Sequence, residues 1–178
     1  MQNKYSGTET KTPEALVVTI RGAEISDRHF LESMFVEAAL WHPEMERQSL
    51  DDLLRIPQLQ RYFIDWGRPS DAALIAEVGK RCVGAAWYRF FLSEEPGYGF
   101  VKESIPELGI AVMLEYRGRS IGTKLLRALI NTAKTRGCSG LSLSVASTNP
   151  ARRLYERQGF VTVGNAGSSW TMLTHFSQ

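Results

Sequence analysis

Apolar residues recur at two spacings along this chain, and the switches between them divide it into elements. Ala15–Arg21 is apolar and β-branched, the character of a first strand. Phe30, Met34, Ala38 and Trp41 then recur at helical spacing, with Leu31, Phe35 and Ala39 widening the stripe. Ser26 or Asp27 can cap that helix, and Pro43 ends or interrupts it. Ser49–Trp66 predicts one or two short helices broken at Pro57, with Leu59, Tyr62, Phe63 and Trp66 on one face. Beyond Trp66 the period shortens. Ala72–Glu77 and Cys82–Phe91 are strand-like and flank a turn at Gly79, which predicts a hairpin. Pro96, Gly97 and Gly99 mark Ser93–Ser104 as mainly loop. Leu108–Leu114 is almost wholly apolar, so it predicts a central strand covered on both sides.

The helical period returns over Ser120–Arg136. There Ile121, Leu125, Ala128, Leu129 and Thr132 form the core stripe, and Lys124, Arg127, Asn131 and Lys134 face water. Gly137 suits the C-terminal cap. Leu141–Val145 predicts another strand. Asn149 before Pro150 starts a short helix that Gly159 stops, and Phe160 packs back as the chain leaves. Phe160–Val163 and Ser169–Leu173 predict a closing pair of strands. Alternation of this kind implies a mixed sheet with helices on its faces. Residues 1–14 are polar and expected to form a flexible tail, leaving 15–178 as one domain.

Composition narrows the chemistry. A chain of 178 residues, 43% hydrophobic, needs neither metal nor disulfide to fold. The 21 basic and 19 acidic residues leave a net charge of +2, far from the dense basic stripe of a nonspecific nucleic-acid binder. Cys82 and Cys138 form no C-x-x-C pair, and His29, His42 and His175 are scattered without metal spacing. No N-terminal stretch resembles a signal peptide and no run is long enough to span a membrane, so the expected location is cytoplasmic.

The junction Met113–Gly122 joins the buried strand to the long helix. A helix start presents unpaired N–H groups and the positive end of the dipole. Gly118 and Gly122 let phosphate approach the backbone, Ser120 can add a hydroxyl, and Arg117 and Arg119 add charge. Such a cradle suits a pyrophosphate without a metal. It is neither a Walker loop, since Gly-Lys-Ser/Thr is missing, nor a dinucleotide fingerprint. Spacing alone also allows a plain helix start with turn glycines.

Asn149-Pro-Ala-Arg-Arg-Leu-Tyr-Glu-Arg-Gln-Gly-Phe160 follows the next strand. Taken singly, Asn149 reads as a cap and Tyr155 as a half-buried core phenol. Together with Glu107–Gly122, this run resembles the GNAT superfamily of acyl-CoA-dependent N-acetyltransferases. The family's loop follows Arg/Gln-x-x-Gly-x-Gly/Ala. Here it reads Arg117-Gly-Arg-Ser120-Ile-Gly122, with Ser120 in place of the first glycine. The family's second motif matches at Asn149, Ala151 or its neighbour Arg152, Tyr155, Gly159 and Phe160. The order of strands and helices fits the family over residues 15–176.

The resemblance implies an α/β (α+β) fold with a mixed, mostly antiparallel twisted sheet of six to seven strands. Helices would lie on both faces, and a central parallel strand pair would splay. Pantetheine of acetyl-CoA would enter the splay and pair with backbone near Ile110–Met113. Its pyrophosphate would sit on Arg117, Gly118, Arg119, Ser120, Ile121, Gly122 and Thr123. Asn149 would reach the pantetheine arm, and Tyr155 would lie near the thioester sulfur. A free amine would attack the thioester directly. A backbone N–H around Val112 or Met113 would hold the oxyanion, and Tyr155 would protonate the thiolate.

Glu107 is the candidate general base, sharing a side with Gly109 and Ala111, whose smallness would leave room for an amine. Its alternative is a solvated strand-end carboxylate, with Glu77, Glu103 and His175 as fallbacks. The acceptor is expected to be a small-molecule amine or a peptide or protein amine. Phe30–Pro43, Gln58–Arg68 and Tyr88–Ser104, rich in aromatics, would select it. Glu37, Glu44, Glu46, Asp51 and Asp52 could attract a cation. Alternatives are another acyl donor or acceptor, or a non-catalytic acyl-CoA-binding module. Similar proteins are often dimers, and Ser169–Leu173 offers a candidate homodimer interface.

Overall fold

The computed structural model describes residues 16–42 and 44–176. The expected tail over 1–14, the start of the first strand at Ala15 and the helix stop at Pro43 lie outside the described residues. The alternating segments become β1 (Val18–Gly22), β2 (Ala72–Val78), β3 (Arg81–Arg89), β4 (Glu107–Val112), β5 (Gly140–Ala146), β6 (Val161–Ala166) and β7 (Ser169–His175). The helical stripes become α1 (Arg28–Ala39), α2 (Leu50–Leu54), α3 (Pro57–Gln60), α4 (Ile121–Thr135) and α5 (Arg152–Arg157).

The strands form one seven-stranded sheet in the order β1-β2-β3-β4-β5-β7-β6. All neighbours are antiparallel except β4 and β5. That parallel pair meets at a single register position, Glu107 opposite Ser142, where the Ser142 N–H donates to Pro106 O at 3.0 Å. Beyond it the two strands share no partners, which is the expected splay.

Alternation along β4 puts Leu108 on one face with Ile121, Leu125, Leu126 and Leu129 of α4. Ala111 faces the other way, with Trp87, Ile75, and Leu31, Met34 and Phe35 of α1. The apolar β4 is therefore covered on both sides, as its sequence requires. Each such buried leucine contributes about 1.5–3 kcal/mol, enough to hold the helices against the sheet while the strands part.

Four local expectations change. The α4 stripe is wider, taking in Leu126 and Ala133, because α4 lies across several strands. Asp27 does not cap α1; its carboxylate accepts two bonds from Arg21, at 2.6 and 2.9 Å, and one from the Glu24 N–H at 2.8 Å. The helix after Asn149 begins at Arg152 rather than Pro150, because Asn149 Oδ1 accepts the Ala151 N–H at 2.9 Å in a preceding turn. Ser169–Leu173 starts β7 rather than forming a whole strand, and β7 is paired on both sides, so the sheet ends at β1 and at β6, whose residues are all exposed.

Candidate active site

The splay opens a cleft of about 870 Å³ between Leu108–Val112 of β4 and Ser144–Ala146 of β5. This lies within the ~300–1,000 Å³ range of small-molecule sites. The Met113 N–H donates to Val83 O at 2.9 Å. Backbone groups alternate sides along an antiparallel pair, so that bond turns the polar groups of Ile110 and Val112 toward β5, beyond the one paired position, where the ladder is absent. An extended ligand can pair there as an added strand. The same bond commits the Met113 amide to β3, which leaves Val112 of the two candidate oxyanion donors.

Arg117, Gly118, Ser120, Ile121, Gly122 and Thr123 line one end of this cleft. Gly118 has φ +75° and Ser120, at the N-cap of α4, has φ +60° and ψ 11°. The left-handed residue before a helix turns successive amides toward one point, a concavity suited to anions. The substitution of serine for glycine in the motif thus falls on a left-handed residue. The Ser120 hydroxyl makes no capping bond. Arg117 Nε donates to Val112 O at 2.9 Å, and its Nη2 pairs with Glu37 Oε2 of α1 at 3.1 Å. Glu37 Oε1 also pairs with Arg47 at 2.6 Å. Glu37 forms part of the cleft wall beside Trp41 and His42.

Asn149 and Tyr155 line the same cleft from the α5 side. The Tyr155 ring packs edge-on against Phe160, with centroids 5.9 Å apart. Burial raises its pKa above the ordinary phenol value, so it stays a proton donor at neutral pH. Four expected site residues are not on the cleft wall, and Glu107, the expected base, is one of them. Met113 turns toward α1 and lines a neighbouring cavity of about 560 Å³. Arg119 lies over the Tyr116 ring at 5.7 Å. Arg152 lies over Trp170 at 4.7 Å and pairs with Glu156.

Glu107 is not a solvated strand end: it is 5% exposed. Burial pushes its carboxyl up to about 7, while a hydrogen bond from Tyr62 and the Gly99 N–H pull the other way. The Tyr62 hydroxyl donates to Oε1 at 2.8 Å, and Oε2 is buried without a partner. The space expected beside Gly109 is filled, since a Cβ there would come within 2.6 Å of the Trp87 ring. Of the fallbacks, Glu77 is bonded to Arg21 and Glu103 to Ser93, and His175 sits at the exposed end of β7. Sequence reasoning assigned Tyr62 to the acceptor region and missed its bond to Glu107. The two lie 45 residues apart, and no local signal joins them. Among the described residues, no cluster of His, Cys, Asp or Glu could hold a metal ion, and no helix is long and apolar enough to cross a membrane.

Residues 24–160 match the acetyltransferase (GNAT) family. A mycothiol acetyltransferase of Corynebacterium aurimucosum is 27% identical over 174 residues, covering 86% of this chain and 54% of that protein. The chain thus spans about half the length of that curated relative. The fold resembles a ribosomal-protein-alanine N-acetyltransferase from Brucella melitensis, with TM-score 0.66 and 24% identity over 89% of this chain and 99% of that one. It also resembles the PaiA N-acetyltransferase of Thermoplasma acidophilum in complex with coenzyme A, with TM-score 0.66 and 18% identity over 90% and 99% of the two chains.

Proposed function

The chain belongs to the acetyltransferase (GNAT) family, and from that premise we propose that it transfers the acetyl group of acetyl-CoA to a primary amine. The observation that carries this reading is that one cleft between splayed strands holds an anion cradle at one end and a buried phenol, Tyr155, along its wall. Pantetheine lies between β4 and β5, with its pyrophosphate on Arg117, Gly118, Ser120, Ile121, Gly122 and Thr123 and its arm near Asn149.

The reaction needs no acyl-enzyme. The amine, once deprotonated, forms a bond from nitrogen to the thioester carbon. The electron pair moves to the carbonyl oxygen, held by the Val112 N–H. Collapse breaks the carbon–sulfur bond, and the Tyr155 hydroxyl gives its proton to the departing sulfur. Glu107 does not itself line the cleft, so it accepts the proton of the ammonium through intervening water, with its carboxyl pushed up to about 7 by burial. The acceptor is a small-molecule, peptide or protein amine approaching from the α1 side, where Trp41, His42 and Glu37 form the wall. The reaction belongs to the cytoplasm, where acetyl-CoA is available.

Incubation with acetyl-CoA and a panel of polyamines, aminoglycosides, amino acids and peptides, followed by thiol detection, tests this. Release above hydrolysis with at least one amine is the expected result. Saturable acetyl-CoA binding with no release across the panel would favour a binding module instead.

A further inference from the structure

We infer that Tyr62 is a positioning residue for the proposed base: it ties one oxygen of Glu107 and leaves the other as the sole proton acceptor. The inference rests on Glu107 acting as that base. Tyr62 lies just past α3 and is held there from the sheet. Arg89 of β3, 1% exposed, donates to the carbonyls of Arg61, Ile64 and Asp65 at 3.0, 2.7 and 3.1 Å, and pairs with buried Asp71 at 2.7 Å. Three backbone anchors therefore bracket Tyr62.

Its ring is fixed by Phe91, with centroids 4.9 Å apart, and stacks on Tyr98 at 6.2 Å. Its hydroxyl accepts the Tyr98 N–H at 2.6 Å and donates to Glu107 Oε1 at 2.8 Å. Because the Tyr98 amide is the donor in one bond, the phenol proton is directed to the carboxylate in the other. Gly97 closes over Glu107: a Cβ there would collide with Oε2 and lie 2.8 Å from the Tyr62 oxygen. Oε2 is the orphan, and Ser142, the β5 residue in register with Glu107, carries a second buried hydroxyl without a partner. The other groups around Glu107 are already committed. Arg89, its register partner on β3, is spent on Asp71 and the three carbonyls, and Arg61 donates to Pro96 O at 2.5 Å. Tyr62 is thus the one side-chain donor on the carboxylate among the described residues.

The test is the pH profile of kcat/KM for the amine found in the panel. Glu107→Gln should remove the acidic limb. If that limb survives, the base reading fails and takes this inference with it. With the limb assigned to Glu107, Tyr62→Phe keeps the ring and removes the donor that favours the carboxylate. The limb should then move to higher pH by about half to one unit, as expected for one hydrogen bond of ~0.5–1.5 kcal/mol. Incorporation of 3-fluorotyrosine at position 62 preserves packing, makes a stronger donor and should move the limb to lower pH. This second protein also serves where Tyr62→Phe fails to fold. A limb at its wild-type pH with the fluorinated residue, once Glu107→Gln has removed it, would overturn the role of Tyr62.

Discussion

Ser120→Gly should stabilise the protein. Ser120 holds φ +60° at the N-cap of α4, a conformation that costs a residue with a Cβ about 1–2 kcal/mol. An N-cap serine normally recovers some of that through its side chain, but here the hydroxyl accepts no capping bond. Glycine removes the steric cost and gives back about 0.5–1 kcal/mol through the greater freedom of the unfolded chain. The net gain is about 0.5–1 kcal/mol. For a chain of this size that is a rise in Tm of about 1–4 °C. Scanning calorimetry of the two proteins without ligand measures it directly. Gly118→Ala is the opposite control, since Gly118 has φ +75° with open space around it, and strain alone should lower Tm. A lower Tm for Ser120→Gly would refute the claim that serine is strained and its hydroxyl idle. Titration with acetyl-CoA adds a separate reading: a stabilised variant that binds more weakly would assign the hydroxyl to the phosphate.

Three further outcomes follow from the same geometry. Glu37→Gln removes the carboxylate that pairs with Arg117 at 3.1 Å. Since the pair is part-exposed and worth under ~1 kcal/mol, calorimetry should find coenzyme A bound about two- to fivefold tighter; weaker binding would mean that Glu37 instead prearranges Arg117. Glu107 has a folded-state pKa raised from 4.5 to about 7, so the folded form binds more protons between those values. Its contribution is fully present below 4.5 and is lost as pH rises through 7, by an amount on the order of 3 kcal/mol. Unfolding free energy of wild type relative to Glu107→Gln should accordingly fall across that window, and a flat difference would contradict the burial argument. Gly109→Ala places a Cβ 2.6 Å from the Trp87 ring, so urea unfolding should show a loss of about 1–3 kcal/mol.

What could be read from the sequence was local. The apolar run of β4, the glycines and arginines of the cradle, and the Asn149–Phe160 run each carry their signal within a few turns of chain. The strand order β5-β7-β6 was not readable, because pairing is decided by which edges meet in three dimensions. Trp87 fills the space at Gly109 only because the register sets them opposite one another. The Glu37–Arg117 pair spans 80 residues and the Tyr62–Glu107 bond 45, so neither has a spacing to betray it. Arg152 had the right motif position, and its attraction to Trp170 on β7 depends on a strand placement that periodicity does not encode.

Every step proposed above depends on acetyl-CoA sitting in the β4–β5 splay. The most direct measurement is the position of coenzyme A in crystals grown with acetyl-CoA. Pantetheine should lie between Leu108–Val112 and Ser144–Ala146, pyrophosphate on the amides from Gly118 to Thr123, and sulfur within reach of the Tyr155 hydroxyl. Coenzyme A bound elsewhere, with the splay empty, would contradict it.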